Sequence, residues 1–339
     1  MKVIKKNLII TGYELNKTPS FIKDLEFATK QEWGCWGLKS NHKRHGFLSE
    51  LYRYFLYYFF SIYILLSCRK CKNIITTQQF YGLIIAFYSR LLHLRKRYSL
   101  TVLTFIFKPK KGLIGSIYFR FMKYIVNSKY IDGIVVYSQN EVKYYENLFG
   151  CAKGLFHYVR LGKSDESKSH LSEKGDYLIS VGRSNRDYEW LISIIAKTEY
   201  KLIIVNDSFK GENNFPNVQI LSSCYKDEMM DLMAKSFCVI IPLLDPNISA
   251  GQLVALQAQN LHKPVIATES EGITNYISNG ETGFIIKKDE KSLLDALNNL
   301  KDEVIYDELS DKGYKSFMKK YSISQQFENI GLIVNEYLI

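Results

Sequence analysis

Residues 239–286, VIIPLLDPNISAGQLVALQAQNLHKPVIATESEGITNYISNGETGFII, hold the residue types best spaced for chemistry. Val239, Ile240 and Ile241 form a short β-branched run that stops at Pro242, the pattern of a buried parallel strand. A turn-rich segment follows over 245–251. A helical pattern then begins near Gln252, with Leu253, Leu256, Ala258 and Leu261 on its apolar side. Residues 264–268, PVIAT, read as the next strand. This is a βαβ unit whose connecting loop carries Ser249, Ala250 and Gly251 just before the helix. A helix start presents unpaired backbone N–H groups and the positive end of its dipole, so the loop suits a phosphate or a diphosphate.

The same residues carry a resemblance. The stretch resembles the donor-sugar half of family-4-like glycosyltransferases of the two-domain GT-B type. That group usually has Pro-Ser-x-x-Glu-Gly-Phe-Gly, a second Glu eight residues after the first, and then Ala-x-x-x-Gly-x-Pro-Val. The Leu-Val-Ala-Leu frame at 253–256 sets the register here. Ser249 stands at the first glutamate, which contacts the donor sugar in the family. Gln257 stands at the second, which contacts the ribose, and its amide can still bond a hydroxyl. Ala258, Lys263, Pro264 and Val265 match, His262 replaces the usual Gly, and Asn-Gly-Glu-Thr-Gly-Phe at 279–284 matches the loop and strand that follow. The Ser-Ala-Gly-Gln sequence of 249–252 is similar to that of a subgroup of bacterial surface-polysaccharide transferases.

The resemblance implies an α/β fold of the GT-B type, two Rossmann-like domains with parallel sheets facing a cleft. It also implies a nucleotide-sugar donor, no further cofactor, and a lipid-linked or polysaccharide acceptor. Arg183 falls on the arginine that clamps the donor diphosphate in the family, and Arg186 is the second cation in place of the family's lysine. A guanidinium fork engages two phosphate oxygens at once. With the amides of Ser249, Ala250, Gly251 and Gln252, the two arginines are expected to stabilise a leaving nucleoside diphosphate without a metal. Ser222, Cys224 and Tyr225 are expected to border the nucleotide base, and Gly12, after the first strand, to face the diphosphate. Glu14, His42 and His45 are the candidate bases if the reaction inverts configuration. A sugar-nucleotide epimerase of the same fold, or an inactive nucleotide-sugar-binding partner subunit, is the alternative.

The elements that must position these residues follow from the rest of the 339-residue chain. Strand patterns at 3–11, 73–77, 100–107 and 131–137 alternate with helical ones at 81–93 and 118–125, which implies a parallel sheet. Ser138 and Glu141 have capping-box spacing. The Ser-rich polar stretch 163–174 divides a first domain, 1–162, from a second, 175–322. Residues 323–339 read as a helix that packs back on the first domain. The segment 32–37, with Trp33 and Trp36, reads either as an acceptor or membrane contact or as core.

Charge is uneven. Residues 1–160 carry 26 Lys and Arg against 8 Asp and Glu, +18; the remainder carries 19 against 26, −7. Residues 54–68 hold no charge for 15 positions, short of the roughly 20 needed to span a bilayer. They read as a helix at an anionic membrane surface or, equally, as a core helix. The apolar run at 8–10 is too short for a signal peptide. Six scattered cysteines fit a reduced compartment and supply no zinc pattern. A cytoplasmic protein, peripheral on the inner face of the plasma membrane, is expected. No nucleic-acid recognition motif accompanies the basic half.

Overall fold

The computed structural model describes residues 5–12, 19–37, 47–209, 215–224 and 227–338. The chain divides into two compact units, Met1–Val159 with Ser324–Ile339, and Arg160–Ile323. Glu14, His42, His45 and Tyr225 lie outside the described residues.

The first unit runs β1 (Asn7–Thr11), α1 (Phe21–Thr29), β2 (Trp33–Gly37), α2 (Phe47–Ser67), β3 (Asn73–Thr76), α3 (Gln79–Leu91), β4 (Ser99–Val102), α4 (Gly112–Val126), β5 (Gly133–Val136), α5 (Gln139–Phe149) and β6 (Phe156–Tyr158). Its sheet is ordered β2-β1-β3-β4-β5-β6, and every pair is parallel. Four of the strands, β1, β3, β4 and β5, are buried throughout, as β-branched runs covered on both faces should be. Segment 33–37 is a strand, and Trp33 is a core residue whose Nε1 donates to Thr29 Oγ1 at 2.8 Å. The strand expected over 100–107 ends at Val102. Thr104 takes a left-handed backbone (φ 64°), and Phe105 and Phe107 turn into an aromatic cluster with Tyr145 and Phe149.

Helix α2 is longer than the uncharged segment that announced it. Tyr57, Ser61 and Ile64 lie on its buried side. Leu48, Tyr52, Phe55, Phe59, Ile62 and Leu66 are all exposed. Their three- and four-residue spacing makes one continuous apolar stripe along the outer face.

The second unit runs β7 (Tyr177–Val181), α6 (Tyr188–Ile195), β8 (Lys201–Val205), β9 (Val218–Leu221), α7 (Asp227–Ala234), β10 (Cys238–Ile241), α8 (Gln252–Asn260), β11 (Val265–Thr268), β12 (Phe284–Ile286), α9 (Glu290–Asn299) and α10 (Glu303–Lys320). Its sheet is ordered β12-β11-β10-β7-β8-β9, again all parallel. Helix α8 is buried almost all round. Leu253, expected on its inner side, is the exception and faces outward. Leu256 packs with Tyr276, Phe317 and Tyr321. The sequence reading did not find α10, which is polar overall and buries only a narrow side through Tyr306, Leu309 and Phe317. Lys263 is buried, and its ammonium donates to the carbonyls of Glu173 and Ser236, fastening the polar connector to the sheet. Burial lowers the Lys263 pKa to about 8.

The last helix, α11 (Ile323–Asn335), belongs from Ser324 onward to the first unit. Phe327 stacks on Phe21 with ring centroids 4.1 Å apart, and Asn335 Nδ2 donates to the Ala28 carbonyl.

Burial pushes the Glu141 carboxyl up to about 7, although the amides of Ser138 and Tyr137 donate to it and pull the other way. A folded-state pKa above the unfolded value means that the folded protein holds the extra proton. Its stabilisation is complete below about pH 4.5 and is lost as pH rises through 7. Denaturant unfolding across this range should therefore show wild type losing on the order of 2 kcal/mol relative to Glu141→Gln. Parallel pH profiles for the two proteins would refute the assignment.

Candidate functional site

In a sheet whose strands all run one way, the carboxyl ends share one edge. In the second unit β7, β8 and β9 step across the sheet in one direction, and β10, β11 and β12 in the other. The direction reverses between β7 and β10, which are neighbours through Leu178–Cys238 and Ile179–Val239. Open α/β sheets form their ligand crevice at such a point. Two loops leave the sheet there, 182–187 after β7 and 242–251 after β10.

Asn185 ties these loops together. Its side chain donates to the carbonyls of Asp245 (2.8 Å) and Ile248 (3.3 Å) and accepts from the Asp245 amide (2.9 Å). Its own carbonyl accepts from Leu244 N. It does this from a left-handed backbone (φ 55°), which Asn tolerates better than most residues. Arg186 makes an antiparallel bridge with Leu243.

The two arginines differ in their electrostatics. Arg183 forms an ion pair with the buried Asp207, which follows β8, at 2.5 Å. Arg186 has no carboxylate partner among the described residues. Its Nε donates to Val181 O (3.2 Å) and its Nη1 to Ser184 O (2.8 Å). Burial lowers its pKa from the usual arginine value. Its neighbour Asp187 is engaged elsewhere, capping α6 at Trp190 N and pairing with Lys288 at 2.5 Å. Gly182 is at φ 123°, and a Cβ there would lie 2.8 Å from Arg186 Nη2. The glycine is therefore what lets the guanidinium fold back over the loop.

Helix α8 begins at Gly251, which has φ 91° and supplies no side-chain cap. A Cβ at Gly251 would approach Ile241 Cγ2 to 2.9 Å. The amides of the first turn consequently have no side-chain acceptor. Ser249 Oγ accepts from Gln252 Nε2, which holds the loop against the helix start. Ala250 is buried. Gln257 lies one turn further on and is also buried, and its side-chain amide has no protein partner among the described residues.

The structure therefore brings Arg183, Arg186, Ser249, Ala250, Gly251 and Gln252 to one edge of one sheet. Ser222 follows β9 and is exposed, at the outer end of the same edge. Cys224 packs in the core with Val205, Met230 and Met233, and burial pushes its thiol pKa up. Gly12 follows β1 in the first unit, where a Cβ would press on the Gln78 side chain at 3.2 Å. Three residues at the site escaped the sequence reading: Asn185, Asp207 and Lys288, whose ammonium reaches Asp187 and the Leu244 carbonyl. Each lies just past the end of a strand, so the signal available was position alone. Among the described residues no group of three or more His, Cys, Asp or Glu is placed to hold a metal ion.

Residues 175–303 match the family model described as Glycosyl transferases group 1. The matched span contains the whole of this edge. An uncharacterized glycosyltransferase of Methanocaldococcus jannaschii is 24% identical over 230 residues, 63% of this chain and 60% of that protein. The capsular polysaccharide biosynthesis glycosyltransferase CapM of Staphylococcus aureus is 33% identical over 87 residues, 25% of this chain and 23% of that one. The chain thus spans well under two thirds of the length of these curated relatives. Among solved structures, Anabaena Alr3699/HepE in complex with UDP-glucose superimposes with a TM-score of 0.68 at 13% identity, over 98% of this chain and 100% of that chain. The fold is of the GT-B type.

Asn185→Ala should free the Asp245 amide. Loss of one such bond is worth about 1 kcal/mol, so hydrogen exchange at Asp245 should quicken about fivefold. Asn185→Gly, which relaxes the backbone but also lacks the side chain, should give the same acceleration. Unchanged exchange in both variants would mean that the loops are held together by other contacts.

Proposed function

We propose that the protein is a glycosyltransferase that moves a sugar from a nucleotide-sugar donor to a lipid-linked or polysaccharide acceptor in cell-surface glycan synthesis. One observation carries the reading. Arg186, a cation with no carboxylate partner among the described residues, bridges Leu243 in the loop that leads to the uncapped start of α8, at the point where the strand order of the second unit reverses. A diphosphate is the ligand that this arrangement would neutralise, since it offers paired oxygens to the fork and further oxygens to the amides.

In this reading the second unit binds the nucleotide-sugar and the first faces the acceptor. Arg186 takes the diphosphate directly. Arg183, held by Asp207, supplies a positioned second cation, and Lys288 adds positive charge nearby. Charge grows on the diphosphate as the glycosidic bond breaks, so preorganised cations stabilise the transition state more than the ground state. Protein groups supply this charge in a metal-independent route. Gln257 offers its amide to a donor hydroxyl, and the loop that follows β9 borders the base. The UDP-glucose complex of the Anabaena relative supports a nucleoside-diphosphate sugar as the donor class. The CapM likeness supports a glycan product.

The reading extends to a cytoplasmic protein held peripherally on an anionic membrane by the first unit. Its support is the outward apolar stripe of α2 in a unit that carries 25 Lys and Arg against 10 Asp and Glu. No helix among the described residues is long and apolar enough to cross a membrane. A helix lying in the interface, with aromatic rings at headgroup depth, matches such a stripe.

Arg186→Ala should lower turnover at saturating donor by about 100-fold, and Arg186→Lys should recover only part of it. Arg183→Ala should cost less, because its charge is already shared with Asp207. Steady-state release of nucleoside diphosphate, measured beside a melting curve, tests this. Wild-type turnover in Arg186→Ala would remove the diphosphate from this site. Conversion of the donor to an isomer that keeps its nucleoside diphosphate, with no acceptor required, would indicate an epimerase instead.

Flotation with vesicles tests the membrane reading. Wild type should float with anionic vesicles at low salt and less at high salt, since each surface cation contributes about 1 kcal/mol that salt screens. Phe55→Ser with Phe59→Ser should abolish flotation without changing the melting temperature. Equal flotation of this variant and wild type would rule out α2 as the contact.

A further inference from the structure

The first unit contains a second cationic site, remote in sequence from the matched span. Where α3 and α4 end, an open cavity of about 510 Å³ is lined by Arg90, His93, Tyr124, Asn127, Lys129 and Tyr130. No acidic side chain lines it. The Arg90 guanidinium lies over the Tyr124 ring, 4.0 Å from its centroid. Its Nη1 donates to the carbonyls of Tyr124 and Asn127, so Arg90 is fixed by the end of α4. Its Nε and Nη2 have no acceptor among the described residues. Lys129 has no carboxylate partner there either; its ammonium lies 5.5 Å from the Tyr130 ring centroid. His93, also in the lining, takes the left-handed backbone (φ 48°) that ends α3, with its amide donating to Arg90 O and the Leu94 amide to Ser89 O. Asp132, the nearest acid in sequence, is taken by Lys96 and the Leu100 amide.

Exposed leucines adjoin the lining residues in the chain. Leu91 and Leu92, which lie between two lining residues in the chain, are more than half exposed. Leu94 is exposed as well, and its carbonyl accepts from Tyr130 Oη. Two cations without carboxylates among the described residues in an aromatic cup, with exposed leucines adjacent in the chain, match a phosphate carried on acyl chains rather than a free anion.

We propose that this cavity binds the phosphate of an anionic phospholipid headgroup, with Arg90 and Lys129 on the phosphate and Leu91, Leu92 and Leu94 among the acyl chains. The site is separate from the donor site. It rests on the membrane reading only for the source of the phosphate.

Calorimetry on the full chain tests it, with dihexanoyl phosphatidic acid below its micelle concentration and with inorganic phosphate as separate probes. Wild type should bind one equivalent of the lipid saturably, and inorganic phosphate at least tenfold more weakly. Lys129→Gln, which leaves the end of α4 intact, should weaken lipid binding about tenfold or more, as expected for a charge-assisted bond. Lys70→Gln removes an equal charge outside the cavity and should change nothing. Leu92→Ser should weaken the lipid and leave phosphate unchanged. Absence of saturable lipid binding, or equal affinity in Lys129→Gln and wild type, overturns the site. Phosphate binding as tight as the lipid's overturns the lipid as its source. Wild type that floats with vesicles yet ignores the monomeric lipid sinks this assignment alone. Lipid binding without flotation leaves the cavity standing and sinks the membrane reading.

Discussion

The parallel pairing of β10 with β7 is the constraint on which the candidate site depends. It joins strands some 60 residues apart in the chain and reverses the strand order of the second unit between them. Every feature of the site follows from that adjacency. The loop after β7 brings Arg186, and the loop after β10 leads into the start of α8. Asn185 then bonds one loop to the other. Had β10 paired at the far side of β9 instead, the same residues would sit at opposite edges of the sheet, and no crevice would form between them.

Within that crevice, the distribution of carboxylates decides which cations are available. Asp207 takes Arg183, and Asp187 takes Lys288 while capping α6. Of the three, Arg186 is the one whose partners among the described residues are backbone carbonyls and no carboxylate. Neutral acceptors fix its position without cancelling its charge, which is the condition for a strong anion contact. A guanidinium already paired with a carboxylate must share its field between protein and ligand.

The first unit uses the same βα rhythm with a different surface. In the second unit α8 is covered almost completely; in the first, α2 turns a stripe of Leu, Tyr, Phe and Ile outward along its whole length. A contiguous exposed apolar patch of this kind is the usual mark of an interaction surface. The cavity at the ends of α3 and α4 adds cations to the same unit, so its surface joins apolar and basic character in the combination suited to an anionic interface.

The sequence by itself determined the α/β class, the parallel sheets and the glycine-bearing loop before α8. These depend on local patterns: β-branched runs, their alternation with helical periods, and a glycine before a helix. The resemblance of the loop after β7 to the family's singled out Arg183 and Arg186. Tertiary structure alone decided which arginine lacks a carboxylate partner among the described residues, since Asp207 reaches Arg183 from beyond a different strand and no spacing along the chain encodes that contact. It likewise withdrew Cys224 into the core and made Trp33 a buried strand residue. Residues 54–68 are apolar all round, so periodicity could not tell the packed side of α2 from the open one; only the position of α3 against it does. The cavity of Arg90 and Lys129 was illegible for the same reason. Its residues come from the ends of two helices and the turn beyond, and only the packing of those helices gathers them.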